Sequence, residues 1–323
     1  MIANSGEYRK KNGQRGYVMM NNFIFENKTK VYFGKNVVKE HLGGLLSNYG
    51  ETVMLAYGGG SIKCNGVYDE IMGILNAQGK CVVEFSGIMS NPTYAKVQEG
   101  AKLARENHVD LILAVGGGSV SDCCKVISGA FDTLSHAMET YFGKPDENNL
   151  SDDINEAVMR SVIRNIRILL TDPENYDARS ELAQASAMAE NGVLKIGKVT
   201  DFQAHQIQHQ LGAYTDCNHG AGLAVIHPVL YRHIYKSGAA RFTRWAQNVW
   251  GIAPKGSDEE TAAAGIDALA AFIKEIGLLT TFTELGIPAD TDFRAITDST
   301  NVTAGCCKKL TRDEICEILQ ECL

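Results

Sequence analysis

The stretch Asp110-Leu111-Ile112-Leu113-Ala114-Val115-Gly116-Gly117-Gly118-Ser119 decides the fold class. Its apolar run is too short for an ordinary helix and reads as a strand buried on both faces, and the glycines at its end open a loop before a helical stretch. Residues 52–57 repeat the arrangement, running into Gly58-Gly59-Gly60-Ser61. Around these two units the hydrophobic period alternates. Strands are expected at 30–33, 52–57, 81–85 and 110–115, and helices at 36–47, 66–78 and 93–107. Alternating strands and helices make a parallel sheet covered on both faces. After residue 120 the strand signals stop. Helical periodicity then occupies 121–127, 131–142, 154–170, 178–196, 222–235, 240–249, 259–276 and 312–322. Ser257 with Glu260, and Thr311 with Glu314, have the spacing that caps free N–H groups at a helix start. The expected architecture is α/β: an N-terminal parallel-sheet domain over residues 19–127, then an all-helical domain over 128–323. Residues 1–18, basic and without an apolar core, read as a disordered extension rather than a secretory signal.

Composition agrees with a large globular chain. The 323 residues are 45% hydrophobic and 21% charged, with 32 glycines against 6 prolines, which excludes collagen-like and disordered classes. Thirty-one Lys+Arg against 38 Asp+Glu leave a net charge of −7, which argues against nucleic acid or an anionic membrane surface as partner. No apolar run reaches the roughly 20 residues of a membrane helix. The 9 cysteines include the adjacent pairs Cys123-Cys124 and Cys306-Cys307 but no C-x-x-C, a pattern of reduced thiols in a cytoplasm.

Two groups of residues carry chemistry. Glycine lets a backbone approach an anion closely, and the helix that follows presents free N–H groups. Two such loops at the same edge of one sheet favour a phosphate-containing ligand beyond the strand ends, although neither is a G-x-G-x-x-G fingerprint. The second group is imidazole and carboxylate. Five of the 8 histidines lie between His205 and His233. His205 and His209 share a helix face at i, i+4, and His219 returns to them on a loop. Upstream, Asp132 and His136 are also i, i+4, on an otherwise apolar helix. A carboxylate beside an imidazole on such a face is costly unless paired or metal-bound. Asp132, His136, His205 and His219 together suit one divalent metal, Fe(II) or Zn(II). His41, His108, His227 and His233 read as structural. No G-x-S-x-G, H-E-x-x-H or Walker A motif competes.

Together these features resemble the iron-containing alcohol dehydrogenases, most closely their NADPH-dependent butanol dehydrogenase branch. The resemblance runs through Phe25-Glu26-Asn27-Lys28-Thr29-Lys30-Val31-Tyr32-Phe33-Gly34, both glycine loops, Asn91-Pro92-Thr93, Asp122 with Lys125, Phe131-Asp132-Thr133-Leu134-Ser135-His136, and the run from His205 to Gly220. It implies an N-terminal α/β nucleotide-binding domain and a C-terminal all-helical metal-binding domain, with catalysis in the cleft between them. It implies metal ligands Asp132, His136, His205 and His219, with His209 near the nicotinamide as a proton-relay or positioning residue. Gly59, Gly60, Ser61, Gly117, Gly118, Ser119 and Asp122 are then the cofactor's surroundings. Relatives that prefer NAD often carry an acid in the first loop; here it is Gly-Gly-Gly-Ser with Lys63 following, so NADP(H) is favoured over NAD(H). The implied reaction is hydride transfer with a primary alcohol or aldehyde such as butanol or butyraldehyde, in a cytoplasmic homodimer.

The chain departs from the family in one place. Relatives have a substantial segment, with further strands and a Thr-Gly-Ser-Glu-type stretch touching the cofactor, before the helix of Asp132 and His136. Here Ile127 runs directly into Ser128-Gly129-Ala130-Phe131. That departure keeps open a non-catalytic or impaired metal- or nucleotide-binding remnant, and the wider fold family keeps open a polyol oxidoreductase of the glycerol dehydrogenase type.

Overall fold

A computed structural model describes residues 30–88, 94–116, 123–144, 148–305 and 307–323. The N-terminal part runs α1 (Val37–Leu46), β1 (Thr52–Tyr57), α2 (Ser61–Cys64), α3 (Val67–Ala77), β2 (Cys81–Phe85), α4 (Tyr94–Glu106) and β3 (Leu111–Val115). The strands form one parallel sheet in the order β2-β1-β3. The central strand is buried on both faces, as its unbroken apolar run requires. Val53, Leu55 and Tyr57 pack with Leu46, Ile71 and Leu75 from α1 and α3. Met54 and Ala56 point the other way, toward Phe85 and Leu103 of α4. On that second face β3 is poorly covered: Ile112, opposite Met54, is 59% exposed.

From residue 123 the described chain is helical: α5 (Cys123–Tyr141), α6 (Leu150–Thr171), α7 (Tyr176–Glu190), α8 (Gln203–Thr215), α9 (His219–Ile234), α10 (Ala239–Trp250), α11 (Asp258–Glu275), α12 (Phe293–Ser299) and α13 (Arg312–Glu321). A single apolar cluster unites them, reaching from Ala130 to Cys322. None of the described helices is long and apolar enough to cross a membrane. Cys64, Cys81, Cys316 and Cys322 are free thiols.

Several expectations need correction. Residues 30–33 form no strand; Val31 is 71% exposed and no described strand pairs with that segment. Residues 121–127 and 131–142 are not separate helices, because α5 runs unbroken through the Ile127-Ser128 junction, tolerating Gly129 at about 1 kcal/mol. The helix expected to reach residue 196 stops at Glu190, where Gly192 takes a left-handed conformation (φ 86°). His219 lies on no loop: it is the first residue of α9, whose cap is Asn218 accepting from Ala221 N–H. The short α2 and α12 carry too few residues for a periodic signal.

A buried charge cluster anchors the end of α5. Lys198 Nζ lies 2.6 Å from Asp152 Oδ1, and Arg241 bonds the same oxygen. Both cations also donate to Tyr141 O, at 3.0 Å from Lys198 and 2.8 Å from Arg241 Nε. Asp152 has no exposed surface. Removing it leaves two buried cations facing each other, so Asp152→Ala is expected to cost about 3–5 kcal/mol, measured as a lowered urea midpoint with unchanged slope.

Candidate metal centre

Helix geometry places the first half of the site. Asp132, His136 and Glu139 are spaced i, i+4, i+7 along α5 and form one stripe. His205 lies in the first turn of α8, and His219 opens α9. Asp132 Oδ1 is the meeting point. It lies 3.4 Å from His205 Nε2, 3.5 Å from His219 Nε2 and 3.7 Å from His136 Nε2. Ligand atoms of Asp132, His205 and His219 all fall within 4.8 Å of one another. His136 stands beside this trio rather than inside it. Its Nε2 is closer, at 3.0 Å, to Glu190 Oε1.

The far sides of two rings are tied down. His205 Nδ1 bonds Glu139 Oε2, and His219 Nδ1 bonds Gln208 Oε1. With Nδ1 as donor, Nε2 of each ring is the atom turned toward Asp132, an arrangement typical of metal-bound histidine. Glu139 is itself buried, and its carboxylate also accepts from the backbone N–H groups of Ala204 at 2.7 Å and His205 at 3.2 Å. It therefore joins α5 to the positive end of α8.

The donor set fits a divalent cation. Asp132 Oδ1 and His205 Nε2 are buried and lack any hydrogen-bond partner, although they face each other. Such orphaned polar atoms cost about 1–3 kcal/mol each, and a shared ion answers both. Four donors held tetrahedrally at bonds of about 2.1 Å stand about 3.4 Å apart, which is the spacing of Asp132 Oδ1 from His205 and His219. Carboxylate and imidazole donors suit Fe(II) and Zn(II) alike.

Electrostatics follow the geometry. Burial opposes a charge on His205, but the carboxylates of Asp132 and Glu139 outweigh it and raise its pKa to about 9. Burial likewise works against the Asp132 carboxylate, yet its histidine neighbours hold it well below the ordinary range. His136 is pushed down to about 4 by burial and then by the charge on His205. His209, exposed beside the trio, stacks on His219 with ring centroids 5.3 Å apart. Partial burial, then repulsion from His219 and His205, lowers its pKa. His227 is fully buried, bonded to Ser135 Oγ at 2.6 Å and held neutral by burial, with a pKa near 4. His233 contacts Glu321 at 3.1 Å.

The cofactor residues are placed only in part. Register sets Tyr57 opposite Val115, so Gly58 and Gly116 leave the sheet side by side, where the strand order reverses between β1 and β3. Gly60 takes φ +108°, open to glycine alone, and a Cβ on Gly59 or Gly60 would meet nothing within 4 Å. Ser61 begins α2. Gly117, Gly118, Ser119 and Asp122 lie outside the described residues. Lys63 rests over the Tyr68 ring at 4.5 Å and lies 3.5 Å from Glu84, which also accepts from Tyr57 and Tyr68.

Sequence reading missed Glu139, Gln208 and Glu190. Glu139 had a signal, the continuation of the Asp132-His136 stripe by one turn. Gln208 follows His205 at i+3 on the same helix. Glu190 had none, since it comes from a separate helix.

Residues 126–323 match the C-terminal domain of the Fe-containing alcohol dehydrogenase family, and residues 28–157 match iron-containing alcohol dehydrogenase. This chain belongs to the iron-containing alcohol dehydrogenase family. Membership makes it an alcohol or aldehyde oxidoreductase and implies a nicotinamide cofactor and an iron-type metal. A probable NADH-dependent butanol dehydrogenase 2 of Bacillus subtilis is 31% identical, over 80% of this chain and 87% of its own length. The NADPH-dependent aldehyde reductase YqhD of Escherichia coli is 26% identical, over 83% and 90%. The crystal structure of NADH-dependent butanol dehydrogenase A from Thermotoga maritima superposes with a TM-score of 0.87 at 27% identity, covering 94% of this chain and 99% of that one. The alignment to the Bacillus protein spans 341 residues, more than the 323 of this chain, so that relative carries sequence with no counterpart here.

The raised pKa of His205 has a measurable consequence. In the metal-free protein its second proton contributes stability that is complete below the ordinary histidine pKa of about 6.5 and is lost as pH rises through about 9. The urea midpoint of metal-free protein is therefore expected to fall toward that of His205→Gln across this interval. Divalent cation uptake at neutral pH is expected to release about one proton per chain, read as a calorimetric heat that depends on the buffer.

Proposed function

We propose that the chain transfers a hydride between NADP(H) and a primary alcohol or aldehyde of the butanol/butyraldehyde kind, at a divalent metal held by Asp132, His136, His205 and His219. The observation that carries this reading is the convergence of three Nε2 atoms on Asp132 Oδ1 at 3.4–3.7 Å, with two of the rings locked from behind. When bound, the metal supplies Lewis acidity toward the substrate oxygen. The protein's part is positional and electrostatic. Glu139 and Gln208 fix ring tautomers, so the ligand nitrogens need no rearrangement. His209, uncharged and exposed next to His219, holds or accepts the proton of the alcohol hydroxyl. Gly59, Gly60 and Ser61, with Gly117, Gly118, Ser119 and Asp122, receive the cofactor; the open backbone at Gly59 and Gly60 favours close approach of its phosphates.

Lys63 is the side chain that favours NADP(H), as a partner for a 2′-phosphate. A second reading, NAD(H), is favoured by Glu84: a carboxylate near the end of the strand beside β1 suits ribose hydroxyls. Relatives named for both cofactors exist. Lys63→Met is expected to raise the KM for NADPH and leave that for NADH unchanged; the opposite pattern favours Glu84.

The direct test is oxidation of NADPH by butyraldehyde in metal-loaded protein. Asp132→Ala is expected to abolish turnover together with metal content. His209→Asn is expected to keep the metal and lower kcat by on the order of 100-fold. Unchanged turnover in verified metal-free protein overturns the mechanism. Metal uptake without NADPH binding, followed by nucleotide fluorescence, identifies a non-catalytic remnant, and preference for glycerol over butanol identifies a polyol oxidoreductase.

A further inference from the structure

Glu190 stands where elementary rules disfavour a carboxylate. It is the last residue of α7, beside the negative end of the helix dipole. It also shares a partner with another acid: Glu190 Oε1 lies 3.0 Å from His136 Nε2, and Asp132 Oδ1 lies 3.7 Å from the same nitrogen. One imidazole nitrogen carries at most one hydrogen, so it satisfies only one of the two. His136 Nδ1, meanwhile, is buried and has no hydrogen-bond partner.

We propose that Glu190 is a ligand of the metal centre, entering as a pair with His136 beside Asp132, His205 and His219. The inference rests on the metal-centre reading above and deepens it. If His136 gives its Nε2 lone pair to a cation, it has no hydrogen left for Glu190. Two lone pairs then face each other at 3.0 Å, a repulsion that binding of both to one ion relieves. Two donors at right angles on one ion, with bonds of about 2.1 Å, stand about 3.0 Å apart, which is the separation found here. Glu190 is half-exposed at the rim, so its carboxylate is free to swing to the ion. With it, two carboxylates balance a dication, and three imidazoles complete a five-donor set. That number suits an octahedral ion such as Fe(II) or Mn(II) better than a four-coordinate Zn(II), and leaves one position for the substrate oxygen.

The test is Co(II) binding to the full chain, by chelator competition and visible absorption, in wild type, Glu190→Gln, Glu190→Asp, His136→Asn, Asp132→Asn and the Glu190→Gln/His136→Asn double variant. Helical circular dichroism at the wild-type level establishes folding. Glu190→Gln is expected to weaken Co(II) binding by on the order of 100-fold and to intensify the cobalt d–d bands several-fold as coordination number falls. Glu190→Asp is expected to recover part of the affinity. The double variant is expected to bind no more weakly than His136→Asn alone, because the two donors act as one unit. Wild-type affinity and spectrum in Glu190→Gln, alongside lost binding in Asp132→Asn, overturn the role of Glu190 and leave the centre standing. Wild-type affinity in Asp132→Asn as well overturns both.

Discussion

The carboxylate of Glu139 is the constraint on which the site depends. It is buried on α5 and satisfied by three donors from the start of α8, two backbone N–H groups and the Nδ1 of His205. A buried charge is tolerable only when paired and bonded in this way. The same bonds that make it tolerable set the rotation of α8 against α5. They point His205 Nε2 at Asp132, which lies two helical turns before Glu139 on the same stripe. The site thus needs no separate scaffold; the charge that stabilises the helix pair also aims the ligand.

The far end of α5 is held by an equally dry contact. Lys198 and Arg241 meet Asp152 and the carbonyl of Tyr141, so the helix carrying Asp132 and His136 is pinned at its C-terminus by ions from three other segments. Ahead of these anchors the helix is lined by Phe131, Leu134, Ala137 and Met138, all fully buried. Rigid packing on both sides is what lets one carboxylate oxygen face three imidazoles without collapsing onto any of them.

The N-terminal part is built on a smaller scale. Among the described residues its sheet has three strands, and the face of β3 bearing Ile112 is poorly covered. The Bacillus relative carries sequence without a counterpart here, and α5 is the next described element after β3. An open strand face is what a parallel sheet shows when the unit that would pack beside it is missing, since each added strand–helix unit covers its neighbour. The glycine turns nevertheless leave the sheet together at its switch point, because that depends only on the pairing of β1 with β3.

Much of this was legible in the residues alone. The strands at 52–57, 81–85 and 110–115 announce themselves because burial on both faces demands continuous apolar runs, and Asp132-His136 and His205-His209 fall on common faces because 3.6 residues make a turn. Residues 30–33 misled, since an apolar segment becomes a strand only when a partner strand stands beside it, and none of the described strands does. Local sequence likewise placed a helix at 222–235, but did not show that Asn218 would cap it and His219 would be its first residue. What only the tertiary structure decided is the company each ligand keeps. Glu139 meets His205 across 66 positions, and Glu190 meets His136 between two helices. Such meetings are set by how whole helices pack, and no periodicity within one segment encodes them.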